Sequence, residues 1–420
     1  MGGPYGLRHL RVRNHMVSRL DSESGPPGRQ SAITDILDFE RSSWTRRSPG
    51  QEDDNCGGVS PDRICFLAPG AATICATGRA IAELMVARYR DVQSLDHQAE
   101  AIAATGLRLS RTELAKWAIR AADMLAPTAE AIRAVGLESP VIAAANRSVG
   151  LNERMRLWAY CTDGRGDRAA GHRRAAWFRV TPDRHGGYAA QELAGFQGVL
   201  LASFADGYDA VLRSGTVVAA ACWGQIRLMA RAIDPYATQA ACAEVPHAAN
   251  RLVAIEADLA DASLAARVRL RRERATPILQ ELESALRQAE RDAVPGSDVA
   301  RFAAELRAQW PALTAFLHDG RLELENKSAR IMLDRLANRD HWVPRRFNGL
   351  HLCVANMATI IETCSLNGVD PRDYIAWILG FSAAADPQVC RDRLMPWDFA
   401  LAASPGSISA NTGCISITPA

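Results

Sequence analysis

With 420 residues, 48% of them hydrophobic, the chain has material for two or three domains with substantial cores. Its net charge of +2 excludes a whole-molecule field that would by itself draw a polyanion, so any nucleic-acid contact has to come from local clusters. Ten scattered cysteines with no Cys-x-x-Cys pair argue against a disulfide framework, and no apolar run approaches the roughly 18–20 residues of a membrane span; a cytoplasmic protein with no membrane partner is expected.

Residues 1–66 are rich in Gly, Pro, Ser and Arg, show no lasting periodicity, and are expected to be a disordered or loop-rich arm. From 67 to 134 the pattern is helical. Ile81, Leu84, Met85 and Tyr89 recur at helical spacing, Thr105-Gly106 interrupts a second helix, and Ser110-x-x-Glu113 forms a capping box for a third. Two helices joined by a short Gly turn match the outline of a helix-turn-helix, with Arg111, Lys116 and Arg120 on the polar face where DNA could be met. A helical hairpin with a solvated basic face is the plainer alternative.

Between 135 and 234 the runs at 139–149, 155–163 and 175–183 read as strands. An apolar strand then ends in Ala205-Asp206-Gly207-Tyr208, and 216–233 reads as a strand running into a helix. The order predicts an α/β domain with a mixed sheet. Residues 235–318 read as long amphipathic helices, the last with Pro311 near its middle. Arg267, Arg269, Arg271, Arg272 and Arg274 crowd one stretch, which either tracks a phosphate backbone or forms a solvated face. From 319 to 400 a turn at Asp319-Gly320, a short strand, a polar helix start near Asn326 and closing helices are expected, the first of these stopped at Asn367-Gly368 with Pro371 opening the next. Residues 401–420 read as a flexible tail.

The stretches DGRLELENKSAR (319–330) and IETCSLNGVDPRDYI (361–375) together resemble the C-terminal block of the insertion-sequence sixty-six family of DDE transposases. The resemblance spans about 68–400 of this chain. It implies an RNase H-like core in an α/β mixed fold with large all-α portions: a helical N-terminal region and a helical insertion. It also implies DNA strand cleavage and transfer for mobility of an insertion element, element ends as the DNA partner, and a possible homo-oligomer. The family's paired-Cys zinc module is not expected here, because Cys56 and Cys65 stand alone and are too few for a four-ligand site.

The chemistry implied is in-line phosphoryl transfer at two Mg²⁺ ions, which demand oxygen ligands from carboxylates. The family's first Asp aligns with Ala145 in VIAAANRSV (141–149), and its Glu aligns with Arg330 in ELENKSARIML (323–333). Its second Asp is intact as Asp206, the one catalytic and metal-binding residue carried over, followed by CWGQIRL (222–228) in which Gln225 replaces a His. Glu138, Glu323 and Glu325 are the acids that could compensate if the backbone shifted. Three readings stay open: a transposase with impaired catalysis, a non-catalytic DNA-binding or oligomerising derivative, and a decayed gene product.

Overall fold

The computed structural model describes residues 35–40, 42–47, 74–149, 154–162, 173–203, 207–236, 238–337, 350–382 and 394–402. Strands β1 (Asp35–Glu40) and β2 (Ser43–Arg47) form an antiparallel hairpin through Ser42, at φ +66°, and β1 pairs in parallel with β3 (Ile74–Ala76). This hairpin corrects part of the expectation of a loop-rich or disordered arm. Its stabilisation is non-local: Asp38 is buried and accepts from Thr77 Oγ1 at 2.5 Å, and Leu37 joins a core supplied by residues far along the chain. A short run such as ILDFE carries no periodic signal that announces such partners.

Helices α1 (Gly78–Tyr89), α2 (Leu95–Ala103) and α3 (Arg111–Leu137) follow. Each starts where a Ser or Thr side chain takes an otherwise unpaired backbone N–H: Thr77, Ser94 and Ser110. The capping box at Ser110 is complete, with Glu113 Oε2 accepting from the Ser110 N–H at 2.7 Å. The break between α2 and α3 falls at Gly106, whose φ of +88° favours glycine.

The main sheet has five strands: β4 (Val141–Val149), β5 (Met155–Thr162), β6 (Ala175–Thr181), β7 (Gly198–Ala202) and β8 (Val217–Ala221). Their spatial order is β6-β5-β4-β7-β8. The first three are antiparallel neighbours, whereas β7 and β8 run parallel to β4. Helix α4 (Gly186–Glu192) lies between β6 and β7, and the single turn α5 (Asp209–Leu212) between β7 and β8.

Both faces of the sheet are largely covered, which explains why β5 and β6 are mostly apolar, with Arg156 and Arg179 the charged exceptions. Along β5, Leu157, Ala159 and Cys161 join a core shared with α1, α3 and the C-terminal helices, while Trp158 and Tyr160 point into a second core under α4. Leu201 and Ala220 face a third core, built by α6 (Trp223–Ile233), α7 (Ala240–Asp258), α8 (Leu264–Asp292), α9 (Asp298–Ala308) and α10 (Trp310–Thr314). The helix expected to carry Pro311 near its middle is instead two helices, with Gln309 between them and Pro311 in the first turn of the second, where a missing N–H costs nothing.

The short strand expected after Asp319-Gly320 is absent. Residues 321–326 are turn and irregular backbone, because their carbonyls go to partners outside any ladder: Leu322 O accepts from Arg271 Nη2 (2.7 Å) and Leu324 O from the Trp223 N–H (2.9 Å). The chain closes with α11 (Lys327–Ala337), α12 (Leu350–Leu366), α13 (Pro371–Ser382) and α14 (Pro396–Ala402). Helix α12 lies against β6 and seals its backbone: Thr363 Oγ1 accepts from Ala176 N–H and donates to Ala176 O, Thr359 Oγ1 accepts from Phe178 N–H, and Asn367 Nδ2 donates to Arg174 O. Three polar residues four apart, two on α12 and Asn367 just past its end, thereby do the work of a neighbouring strand. Gly368, at φ +70°, stops α12, and Pro371 opens α13.

Candidate functional site

Four segments converge at one end of the parallel strands: the middle of β4, the chain leaving β7, the β8–α6 junction, and the strap 319–326 leading into α11. Ligand sites of open α/β sheets lie at such strand ends. Asn326 is the clasp. It is 2% exposed, its Nδ2 donates to Ala144 O on β4 at 2.6 Å, and its Oδ1 accepts from Cys222 Sγ at 3.0 Å. Glu325 lies over α6, where a Cβ on Gly224 would stand 2.7 Å from its Oε1; the same oxygen is 3.5 Å from Arg227 Nη2. Glu325 is thus engaged away from β4, and Glu138 is exposed at the end of α3.

Position 145 is a methyl group, 3% exposed, in the core shared with α11. Arg330 sits half-buried on α11, one turn past Asn326, and makes no ion pair among the described residues. Both it and Glu325 act on the Cys222 thiol. Burial raises the pKa of that thiol, Glu325 adds to the rise, and Arg330 opposes it. Asn146 accepts from Arg156 Nε at 2.5 Å, and Arg147 pairs with Asp334 at 3.2 Å. Asp206 lies outside the described residues; its neighbour Gly207 has φ +79°, and Tyr208 packs edge-on to Trp158 at 5.5 Å. Among the described residues no three His, Cys, Asp or Glu side chains gather as a metal would need. Cys56 and Cys65 also lie outside the described residues.

The candidate DNA-binding residues separate into two groups. Arg111, Lys116 and Arg120 are exposed on α3, with Arg111 3.6 Å from Asp96. In the other group the structure corrects two expectations. Arg271 is fully buried and Arg267 8% exposed; both hold Glu256, at 2.6–2.7 Å and 2.9 Å, and Arg271 also donates to Phe316 O, Asp319 O and Leu322 O. With its donors so engaged, Arg271 has none for a phosphate, and it is a structural cross-link. Arg269 and Arg272 are exposed, the first 3.6 Å from Glu273 and the second donating to Leu317 O. Sequence reasoning passed over Asn326 as a bridge. A buried Asn closing two strand ends has no local signature apart from its place at a helix start.

A five-stranded mixed sheet, helices on both faces and polar side chains gathered at the ends of its parallel strands define an α/β protein with its site at the strand ends. The chain belongs to the Transposase IS66 family, whose model matches residues 73–330, more than half of its length. It is similar to three Sinorhizobium fredii proteins. "Uncharacterized protein y4qI" is 28% identical over 346 residues, covering 77% of this chain and 62% of the relative. "Uncharacterized protein y4hP" is 24% identical over 349 residues (76% and 61%), and "Uncharacterized protein y4jD" 23% over 341 residues (77% and 66%). The chain therefore spans about three fifths of the length of the first of these relatives. No helix among the described residues is long and apolar enough to cross a membrane.

Proposed function

We propose that this protein is a DNA-binding member of the transposase family whose strand cleavage and transfer are impaired, working on an RNase H-like core. The strand order β6-β5-β4-β7-β8, three antiparallel and the rest parallel, supports that reading of the core. The family membership supports DNA as the partner, with element ends as its target. What supports the impairment is the motif alignment that puts residues 145 and 330 at two of the family's acid positions: the first is a buried methyl and the second a half-buried guanidinium. A pair of magnesium ions needs carboxylate oxygens; alanine offers none, and a half-buried arginine adds repulsion. The residues present do not fit the metals, and Asp206 alone is too small a donor set. The exposed cations Arg111, Lys116 and Arg120 on α3, with Arg269 and Arg272, are the side chains assigned to DNA.

Incubating the purified chain with labelled element-end duplex in Mg²⁺ or Mn²⁺ tests this. Retention without cleavage is the expected result. Cleavage that disappears in Asp206→Ala overturns the impairment. Absence of retention at any salt concentration overturns the DNA reading and favours a decayed product.

A further inference from the structure

Arg330 stands one turn into α11, four residues after Asn326, which ties the start of that helix to β4 through Ala144 O (2.6 Å) and to the β8–α6 junction through Cys222 Sγ (3.0 Å). The Arg330 N–H donates to Asn326 O at 3.0 Å, so the clasp also fixes where the arginine side chain begins. Burial raises the pKa of the Cys222 thiol and Arg330 opposes that rise, so the guanidinium charge is felt at the strand ends.

Among the described residues no acid neutralises this charge. Asp334, one turn further along the same helix, pairs with Arg147 (3.2 Å), and Glu325 faces Arg227 (3.5 Å). Lys327, exposed at the start of α11 and three residues before Arg330, brings a second cation to the same side of the helix. The contrast with other partly buried arginines is sharp. Arg156, Arg174, Arg227, Arg321 and Arg372 each donate to a carboxylate, an amide oxygen or a backbone carbonyl. Taking a guanidinium partly out of water without a counter-charge is costly, and an arriving anion removes that cost.

We infer that Arg330 holds a backbone phosphate of DNA at the strand ends, so that the strand is gripped there by a guanidinium and not through a metal ion. The inference rests on the DNA-binding reading above. A guanidinium presents a planar fork of N–H donors matched to phosphate oxygens, and a helix pinned at its first turn by a buried Asn carries it, so little freedom is lost on binding.

The test is anisotropy of a labelled duplex with the full chain, titrated across a salt series in chelator and again in Mg²⁺ at matched ionic strength. Arg330→Gln is expected to bind about tenfold more weakly and to lower the steepness of log K against log salt by about 1. Arg330→Lys should keep the slope, and Arg231→Ala, an exposed cation at the far end of α6, should leave both quantities unchanged. Wild type should bind equally well with and without Mg²⁺; tighter binding in Mg²⁺ would put a metal at the phosphate and overturn the inference. Arg330→Gln should melt with wild type, because no protein partner is lost, and a clear fall in Tm would make the arginine a structural tie and likewise overturn it. If Arg330→Gln binds like Arg231→Ala while Arg111→Ala/Lys116→Ala loses binding, the role of Arg330 falls and the DNA reading stands. If the wild-type chain binds no DNA at all, both fall.

Discussion

Replacing Arg271 by Met removes one guanidinium and keeps most of the side chain's apolar length. In the native protein this group is fully buried and spans the α7–α8 pair and the strap beyond α10: two hydrogen bonds to Glu256, and one each to Phe316 O, Asp319 O and Leu322 O. Breaking a buried ion pair from one side costs about 3–5 kcal/mol, and the orphaned carbonyls, at about 1–3 kcal/mol each, are part of that loss. We therefore expect Arg271→Met to lose about 3–5 kcal/mol in urea unfolding at pH 7, read as a lower midpoint at unchanged slope. Arg267 stays on Glu256 at 2.9 Å, which keeps the carboxylate from being wholly unpaired and sets the lower end of the range.

The pH profile follows from Glu256. Burial alone would raise its pKa; the Arg271 hydrogen bonds and the charges of Arg271 and Arg267 outweigh this and leave it below the ordinary glutamate value. A depressed acid contributes stability that is complete above its unfolded pKa, about 4.3, and drains away as pH falls through the lower folded value. The gap between wild type and Arg271→Met should be flat from about pH 5 to 8 and close below about pH 4. Amide exchange at Trp223, whose N–H is held by Leu324 O, should quicken in the variant because the strap is loosened. A loss under about 1 kcal/mol, or a gap that widens in acid, would refute the reasoning.

Thr363→Val is nearly isosteric but strips both bonds from Ala176 on β6; a loss of about 2 kcal/mol and a greater tendency to aggregate are expected, measured by unfolding and light scattering. Val at 363 with unaltered stability would show that the helix seal is dispensable. Asn326→Leu leaves Ala144 O without its donor inside the core and should cost about 1–3 kcal/mol, while Asn326→Asp should cost at least as much because it also buries a charge. Cys353, buried and with its thiol pushed up to about 11, should resist iodoacetamide at pH 8 until the chain is unfolded; peptide mapping that finds it labelled in native protein would contradict its placement.

Much of this architecture could be read along the chain. The start of α3 follows from Ser110 and Glu113, the stop of α12 from Asn367-Gly368, and the strands from apolar runs bounded by turns, because each of these signals is satisfied within a few residues. Other features depend on partners far away in sequence. Arg267 and Arg271 share a helix with Arg269 and Arg272, and nothing local says which pair is buried on Glu256 and which meets water. The β1–β2 hairpin depends on Thr77, the strap at 321–326 on Arg271 and Trp223, and the Asn326 clasp on Ala144, 182 positions away. Charge pattern and helical period determined by themselves that a cationic helix would form; whether each guanidinium became a cross-link or a surface group was decided only when the tertiary structure brought a carboxylate and three carbonyls around one of them, since desolvation compels a buried charge to take every partner within reach.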